Sequence, residues 1–175
     1  MSKSLLFGLL VLAVAATTAA AGYTPPYKVT TKRADDKVDV RAEQDKVTFS
    51  VRSPSGIGQA VIERAGEAWP DAVVLRLHLT GLENFNVTNG KTTLEGSVSL
   101  QDGKPVVRLW KDGQEDAPLD PKSPYWMEVR TLGGDGKPAK AIPLAEGYFE
   151  MPLPKALFDG NPKTITVNWI DFYRN

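Results

Sequence analysis

The stretch Leu94–Trp110, LEGSVSLQDGKPVVRLW, decides the fold. Leu94, Gly96, Val98 and Leu100 alternate with Glu95, Ser97, Ser99 and Gln101, and Val107 and Leu109 then alternate with Val106, Arg108 and Trp110. A period of two places one set of side chains on a core and the other toward solvent, the signature of half-buried strands. Between the two runs sits Asp102-Gly103, a pair that tolerates the positive φ values of a tight hairpin turn matched to strand twist. The stretch therefore reads as two antiparallel strands.

The same pattern extends in both directions. Val73, Leu75, Leu77 and Leu79 alternate with Val74, Arg76, His78 and Thr80, and Val38 and Val40 lead through Gln44-Asp45 to Val47, Phe49 and Val51, a second hairpin. Tyr125 to Thr131, Gly147 to Leu153 and Thr164 to Tyr173 complete the strands, and further Asp-Gly pairs fall at Asp112-Gly113, Asp135-Gly136 and Asp159-Gly160. About nine short strands at a spacing of about ten residues point to an all-β, antiparallel, jelly-roll-like β-sandwich rather than βαβ units. One or two short helical turns at most are expected, one of them at Pro154–Phe158, with proline at its start. Residues 56–68, GIGQAVIERAGEA, admit two readings: an amphipathic helix with Ile57, Val61, Ala65 and Ala68 on one stripe, or a strand from Ile57 to about Arg64.

Composition restricts function more firmly than any motif. The 175 residues carry 21 Lys and Arg against 21 Asp and Glu, one His and no Cys. A net charge near zero with signs mixed along the chain removes the usual drive toward nucleic acid or an anionic membrane. Without cysteine there is no thiol nucleophile, redox pair, thiolate zinc site or haem attachment, and a single histidine excludes a His-rich metal centre within one subunit. Lys3, the apolar run Leu5–Ala16 and Ala19-Ala20-Ala21 have the layout of a secretory signal peptide over residues 1–21. The apolar run is too short for a spanning helix, so the mature chain is expected free of the membrane, secreted or periplasmic. An extended segment, 22–36, would precede one sandwich domain over 37–175, a size that supports its own core without disulfides.

The runs SGIGQAVI, WPDAVVLRLHLTGLENF, GYFEMPLPKALF and TITVNWIDFYRN, spread from Ser55 to Asn175, resemble a group of small secreted bacterial proteins ending in a WIDFYR-type motif. The resemblance implies a single-domain sandwich and favours the strand reading of Gly56 onward. It carries no catalytic or binding residue with it, because that group has no assigned function.

Several residues are candidates for chemistry. His78 is the one side chain with an unperturbed pKa near neutrality, on the outward phase with Arg76 and Thr80, but no GxSxG elbow supplies a serine for it. Glu128 in YWMEVR and Glu150 in GYFEMP each lie beside aromatics, the combination a glycoside hydrolase or lyase uses when two carboxylates stand about 5–9 Å apart across a groove. Asp112, Glu115 and Asp116, with Asp120, form an oxygen-rich loop compatible with calcium, the only cofactor the sequence brings into consideration. Asp171 shares the apolar phase of Ile165, Val167 and Trp169, so it is expected to be a buried charge pinned by an arginine such as Arg76, Arg130 or Arg174. Trp110, Trp126, Tyr125 and Arg130 are the candidate binding residues: exposed tryptophans on a rigid sheet suit sugar stacking or a protein partner, whereas cover by the loops 111–124 and 133–143 would make them structural.

The sequence thus points to an exported, non-enzymatic binding or structural module, with a glycan as the leading ligand class. The alternatives are a carboxylate-based sugar hydrolase or lyase, and a component of an envelope assembly that docks through a strand edge or apolar patch.

Overall fold

The computed structural model describes residues 27–66, 68–79, 83–102, 104–139 and 147–171, with Leu79, Leu100 and Asp171 described as backbone only. The signal-peptide reading of residues 1–21, and Phe172-Tyr173-Arg174 of the terminal motif, fall outside these residues.

Among the described residues eleven strands form: β1 (Tyr27–Thr31), β2 (Lys37–Ala42), β3 (Lys46–Arg52), β4 (Ile57–Arg64), β5 (Ala72–Leu79), β6 (Glu83–Thr88), β7 (Thr93–Gln101), β8 (Lys104–Lys111), β9 (Arg130–Leu132), β10 (Gly147–Pro152) and β11 (Thr164–Asp171). They build a six-stranded sheet in the order β1-β4-β11-β6-β7-β8 and a five-stranded sheet in the order β2-β3-β5-β10-β9. The fold is an all-β sandwich. Its core lies between the sheets, where Val47, Phe49 and Val51 of β3, Leu75 and Leu77 of β5 and Phe149 and Met151 of β10 meet Ala60 and Ile62, Phe85 and Val87, Leu94 and Val98, and Ile165 and Val167.

The hairpins read from the sequence form as expected. Val38 faces Val51 and Val40 faces Phe49 across β2 and β3, and Gln101 pairs with Lys104 around Asp102, whose φ of 51° supplies the left-handed residue of a two-residue turn. Residues 57–64 are a strand, which removes the helical reading of 56–68: Gly58, Ala60 and Ile62 point inward while Gln59, Val61 and Glu63 point outward. Pro154 precedes a single 3₁₀ turn over Lys155–Phe158.

Three features depart from expectation. β3 and β5 run parallel, because β4 crosses to the other sheet between them and two successive crossings restore the chain direction. β6, ENFNVT, was not legible as a strand, since asparagine is depleted in strands and its inward phase opens on a carboxylate. Conversely, the expected strand Tyr125–Thr131 reduces to β9. Met127 and Val129 are buried and Glu128 is exposed, so the alternation is real, but only Arg130–Leu132 find a ladder partner, in β10.

Two inward glycines set how closely the aromatic core packs. Gly58 stands opposite Trp169 in the β4–β11 register, and Gly96 stands opposite Phe85 in the β6–β7 register. Each ring lies in the space a Cβ would take.

Candidate functional site

Period-two alternation decides which side chains reach the outer face of the six-stranded sheet. Because directly opposed residues on adjacent antiparallel strands share a face, the pairs Gln59–Asn168, Asn168–Asn86, Asn86–Glu95 and Glu95–Trp110 make one continuous outward row across β4, β11, β6, β7 and β8. The N–H of Lys32, just beyond β1, donates to Gln59 O at 3.0 Å, which adds a sixth member. At about 4.8 Å between strands the row spans roughly 24 Å.

Hydrogen bonds fix the amides along this row. Gln59 Nε2 donates to Asn168 Oδ1 at 2.7 Å, and Asn168 Nδ2 donates to Asn86 Oδ1 at 2.7 Å. The ladder leaves the side-chain carbonyl oxygen of Gln59 and the side-chain N–H groups of Asn86 outside these two bonds, an acceptor at one end and a donor at the other. Glu95 is fixed from the neighbouring turn. Asp112 and Gly113 both have positive φ, 53° and 77°, and this turn folds back so that Gly113 N–H donates to Glu95 Oε2 at 2.7 Å and Thr93 N–H donates to Asp112 Oδ1 at 2.8 Å. Asn84, Asn86, Glu95, Trp110, Asn168 and Ile170 rim an open depression of about 200 Å³.

Trp110 stands at one end of this row. It lies on the outward phase of β8, between buried Leu109 and half-buried Lys111, and lines the depression instead of joining the core. Trp126 and Tyr125 pack against the core instead. Lys111, on the inward phase, holds its ammonium 4.8 Å from the centre of the Tyr125 ring. Arg130 belongs to the other sheet, so the four candidate binding residues do not share a surface.

The outer face of the five-stranded sheet is a charge row. Asp39, Ser50, Arg76, Glu150 and Arg130 are opposed in register across β2, β3, β5, β10 and β9. Arg76 holds Glu150 through Nη2 at 2.7 Å and Nε at 2.8 Å, and Arg130 Nη2 holds Glu128 Oε2 at 2.8 Å. The Arg130 hydrogen bond, reinforced by its charge, lowers the Glu128 pKa below the ordinary carboxylate value, and Glu128 in turn raises that of Arg130. A glycosidic general acid needs the opposite shift. A side-chain titration by NMR is expected to place Glu128 below its usual midpoint, and Arg130→Ala to raise it; an unmoved midpoint would break the pairing. The sign follows: a depressed carboxylate stabilises the fold above its unfolded pKa and loses that contribution as pH falls through the folded one. Both groups are solvent-exposed, so the effect on stability is small.

His78 is buried at 9% exposure, its ring edge-on to Tyr148 at 5.6 Å between centroids. The void it shares with Ser53, Glu83 and Trp169 measures about 10 Å³, too small for a substrate. This end of the sandwich also buries Asp36, whose Oδ1 accepts a hydrogen bond from Ser53 Oγ at 2.6 Å. Asp171 faces Glu83 in the β11–β6 register, and its side chain falls outside the described residues. Asp36, Ser53 and Glu83 are inward polar residues that the sequence reading missed; the signal was their position on the apolar phase of β2, β3 and β6.

Of the acidic loop candidates, Asp116 is exposed and the other three are engaged individually. Asp112 pairs with Lys111 at 3.3 Å, Glu115 with Arg108 at 3.6 Å, and Asp120 Oδ1 accepts from Lys122 N–H at 2.7 Å. Among the described residues no three acidic or histidine side chains gather as a cation site, and no helix is long and apolar enough to cross a membrane. Compared with known proteins, the chain matches no protein family, no curated protein and no solved structure.

Proposed function

We propose that the protein is exported after loss of residues 1–21 and works as a non-enzymatic glycan-binding module, with the outer face of the six-stranded sheet as its binding surface. The observation that carries this reading is the single row Gln59–Asn168–Asn86–Glu95–Trp110, which combines an aromatic ring, an amide ladder and a carboxylate on one rigid plane. A sugar presents a C–H face and a rim of hydroxyls. An indole covers the first, and amides and a carboxylate that offer both donors and acceptors match the second. Because these groups are held by strand register and by hydrogen bonds to one another, little ordering is required on binding.

The hydrolase reading gains no support from Glu128 and Glu150, since each carboxylate is engaged by an arginine. Ile57 and Ile170, 38% and 39% exposed and opposed in register, form an apolar spot on the same face. Two side chains fall well short of the core of a stable protein interface.

A polysaccharide array probed with the protein tests the proposal. Retention of at least one glycan, competed by its soluble oligosaccharide, is the expected result. Binding to none of them by a protein that still unfolds cooperatively would overturn it and favour the partner-protein reading.

A further inference from the structure

The binding face is electrically lopsided. Beyond Ile170 and Asn168 the first depression is bordered by a second of about 250 Å³, lined by Lys32, Arg33, Ile57, Gln59, Asn168 and Ile170. The two share Asn168, Trp169 and Ile170, so they lie side by side on the two flanks of β11. At the Trp110 end Arg108 is held by Glu115 through its carboxylate and its backbone carbonyl, and Glu95, one oxygen of which accepts from Gly113 N–H, keeps its negative charge. The middle is neutral, made of Asn84, Asn86, Gln59 and Asn168. At the far end Lys32 and Arg33 are exposed and make no ion pair among the described residues. Of the acids that follow them, Asp36 is turned inward onto Ser53, leaving Asp35 as the exposed carboxylate of that link.

We infer that the ligand is an acidic glycan several sugars long, with a carboxylate- or sulfate-bearing sugar at Lys32 and Arg33 and a ring further along the same chain, about 24 Å away, on Trp110. This rests on the glycan reading above and adds to it both the charge of the ligand and its direction across the sheet. A guanidinium offers a carboxylate or sulfate two parallel donors, and an ammonium beside it adds a point charge. Neutral amides next to this pair suit the uncharged hydroxyls of the same chain. Exposed charges act over no more than a Debye length, so their contribution must decline with salt while stacking on Trp110 persists.

The test compares oligogalacturonates with their methyl esters, which keep the sugar and remove the charge, alongside sulfated and neutral chains. Affinity for the acid form is expected to exceed that for the ester by about tenfold or more and to fall with ionic strength. The double variant Lys32→Ala/Arg33→Ala is expected to abolish that difference without changing the melting temperature, because both side chains are exposed. Binding confined to sulfated chains and lost in the double variant would support the inference and identify sulfate as the anion. Equal binding of acid and ester, or a double variant with unchanged selectivity, would overturn the inference and leave the glycan site standing. Binding of no glycan, neutral or acidic, would overturn the glycan reading itself.

Discussion

Gly58→Ala is expected to lower the unfolding midpoint in denaturant more than the same change at any other described glycine. A Cβ at Gly58 would lie 2.2 Å from Trp169 Cζ2 and 2.6 Å from Asp36 Oδ2. Real Cβ atoms do not approach so closely, so the indole or the strand must move. Neither is free to do so. Trp169 is 4% exposed between the sheets, and both β4 and β11 are paired on each side, with β1 and β11 for the first and β4 and β6 for the second. Overpacking costs roughly 1–3 kcal/mol where flexible side chains can yield, and a rigid indole against a fixed carboxylate belongs at or above the upper end. Set against a total stability of about 5–15 kcal/mol for a domain, this leaves the protein marginal. Gly96→Ala should act in the same direction through Phe85 Cζ at 2.6 Å and Leu109 Cδ2 at 2.7 Å. A midpoint for Gly58→Ala equal to that of the parent would refute the fit of Trp169 over Gly58.

Trp110→Ala carries the largest expected effect on function. If the outer face binds a glycan, removing the ring eliminates the aromatic stacking contact on it, and such anchors cost about 2 kcal/mol or more on truncation, a loss of about thirtyfold in affinity. The fold should scarcely respond. Trp110 lies outside the core cluster that Trp126 packs against, so the expected loss of stability is below about 1 kcal/mol. Trp126→Ala provides the contrast, with a reduced melting temperature and glycan affinity unchanged in the fraction that remains folded. Titration calorimetry with the best ligand from the array, together with thermal melts of both variants, separates the two roles. A Trp110→Ala protein that binds like the parent would remove this face as the site.

Much of the sandwich was readable because its signal is local. The alternation of Leu94–Leu100 with Val107–Leu109, and the turn at Asp102-Gly103, concern residues adjacent in the chain, and pleat and turn chemistry act over that range. The remaining Asp-Gly pairs show the limit of the same argument. Gly113, Gly136 and Gly160 all adopt positive φ, so each pair marks a turn as its chemistry requires. Asp112-Gly113 nevertheless leads out of β8 instead of into a hairpin, and its consequence, the fixing of Glu95, depends on β7 lying alongside. The alternation of Met127 and Val129 was likewise correct about which side chains are buried and uninformative about whether a partner strand was within reach.

The candidate site was the least legible part. Trp110 was recognised from its phase on β8, but it was grouped with Trp126, Tyr125 and Arg130 because these share a residue type or lie near one another in the chain. Its actual neighbours come from register: Asn168 and Gln59 lie 109 residues apart in the chain, and Asn168 and Asn86 lie 82 apart. Nothing within either segment specifies that pairing. The same holds for Glu150, whose arginine partner Arg76 is 74 residues away.

By itself, the sequence determined the all-β class, the inward and outward phase of most strands, the absence of cysteine chemistry and the position of the tight turns, since each depends on residues within a few positions of one another. Only the tertiary structure decided which strands are neighbours, that β3 and β5 run parallel, and which outward residues form a row. These depend on how the inner faces of eleven strands fill one core. A shift of two residues in any pairing would preserve every local pattern and yet carry Asn168 out of line with Asn86 and Gln59.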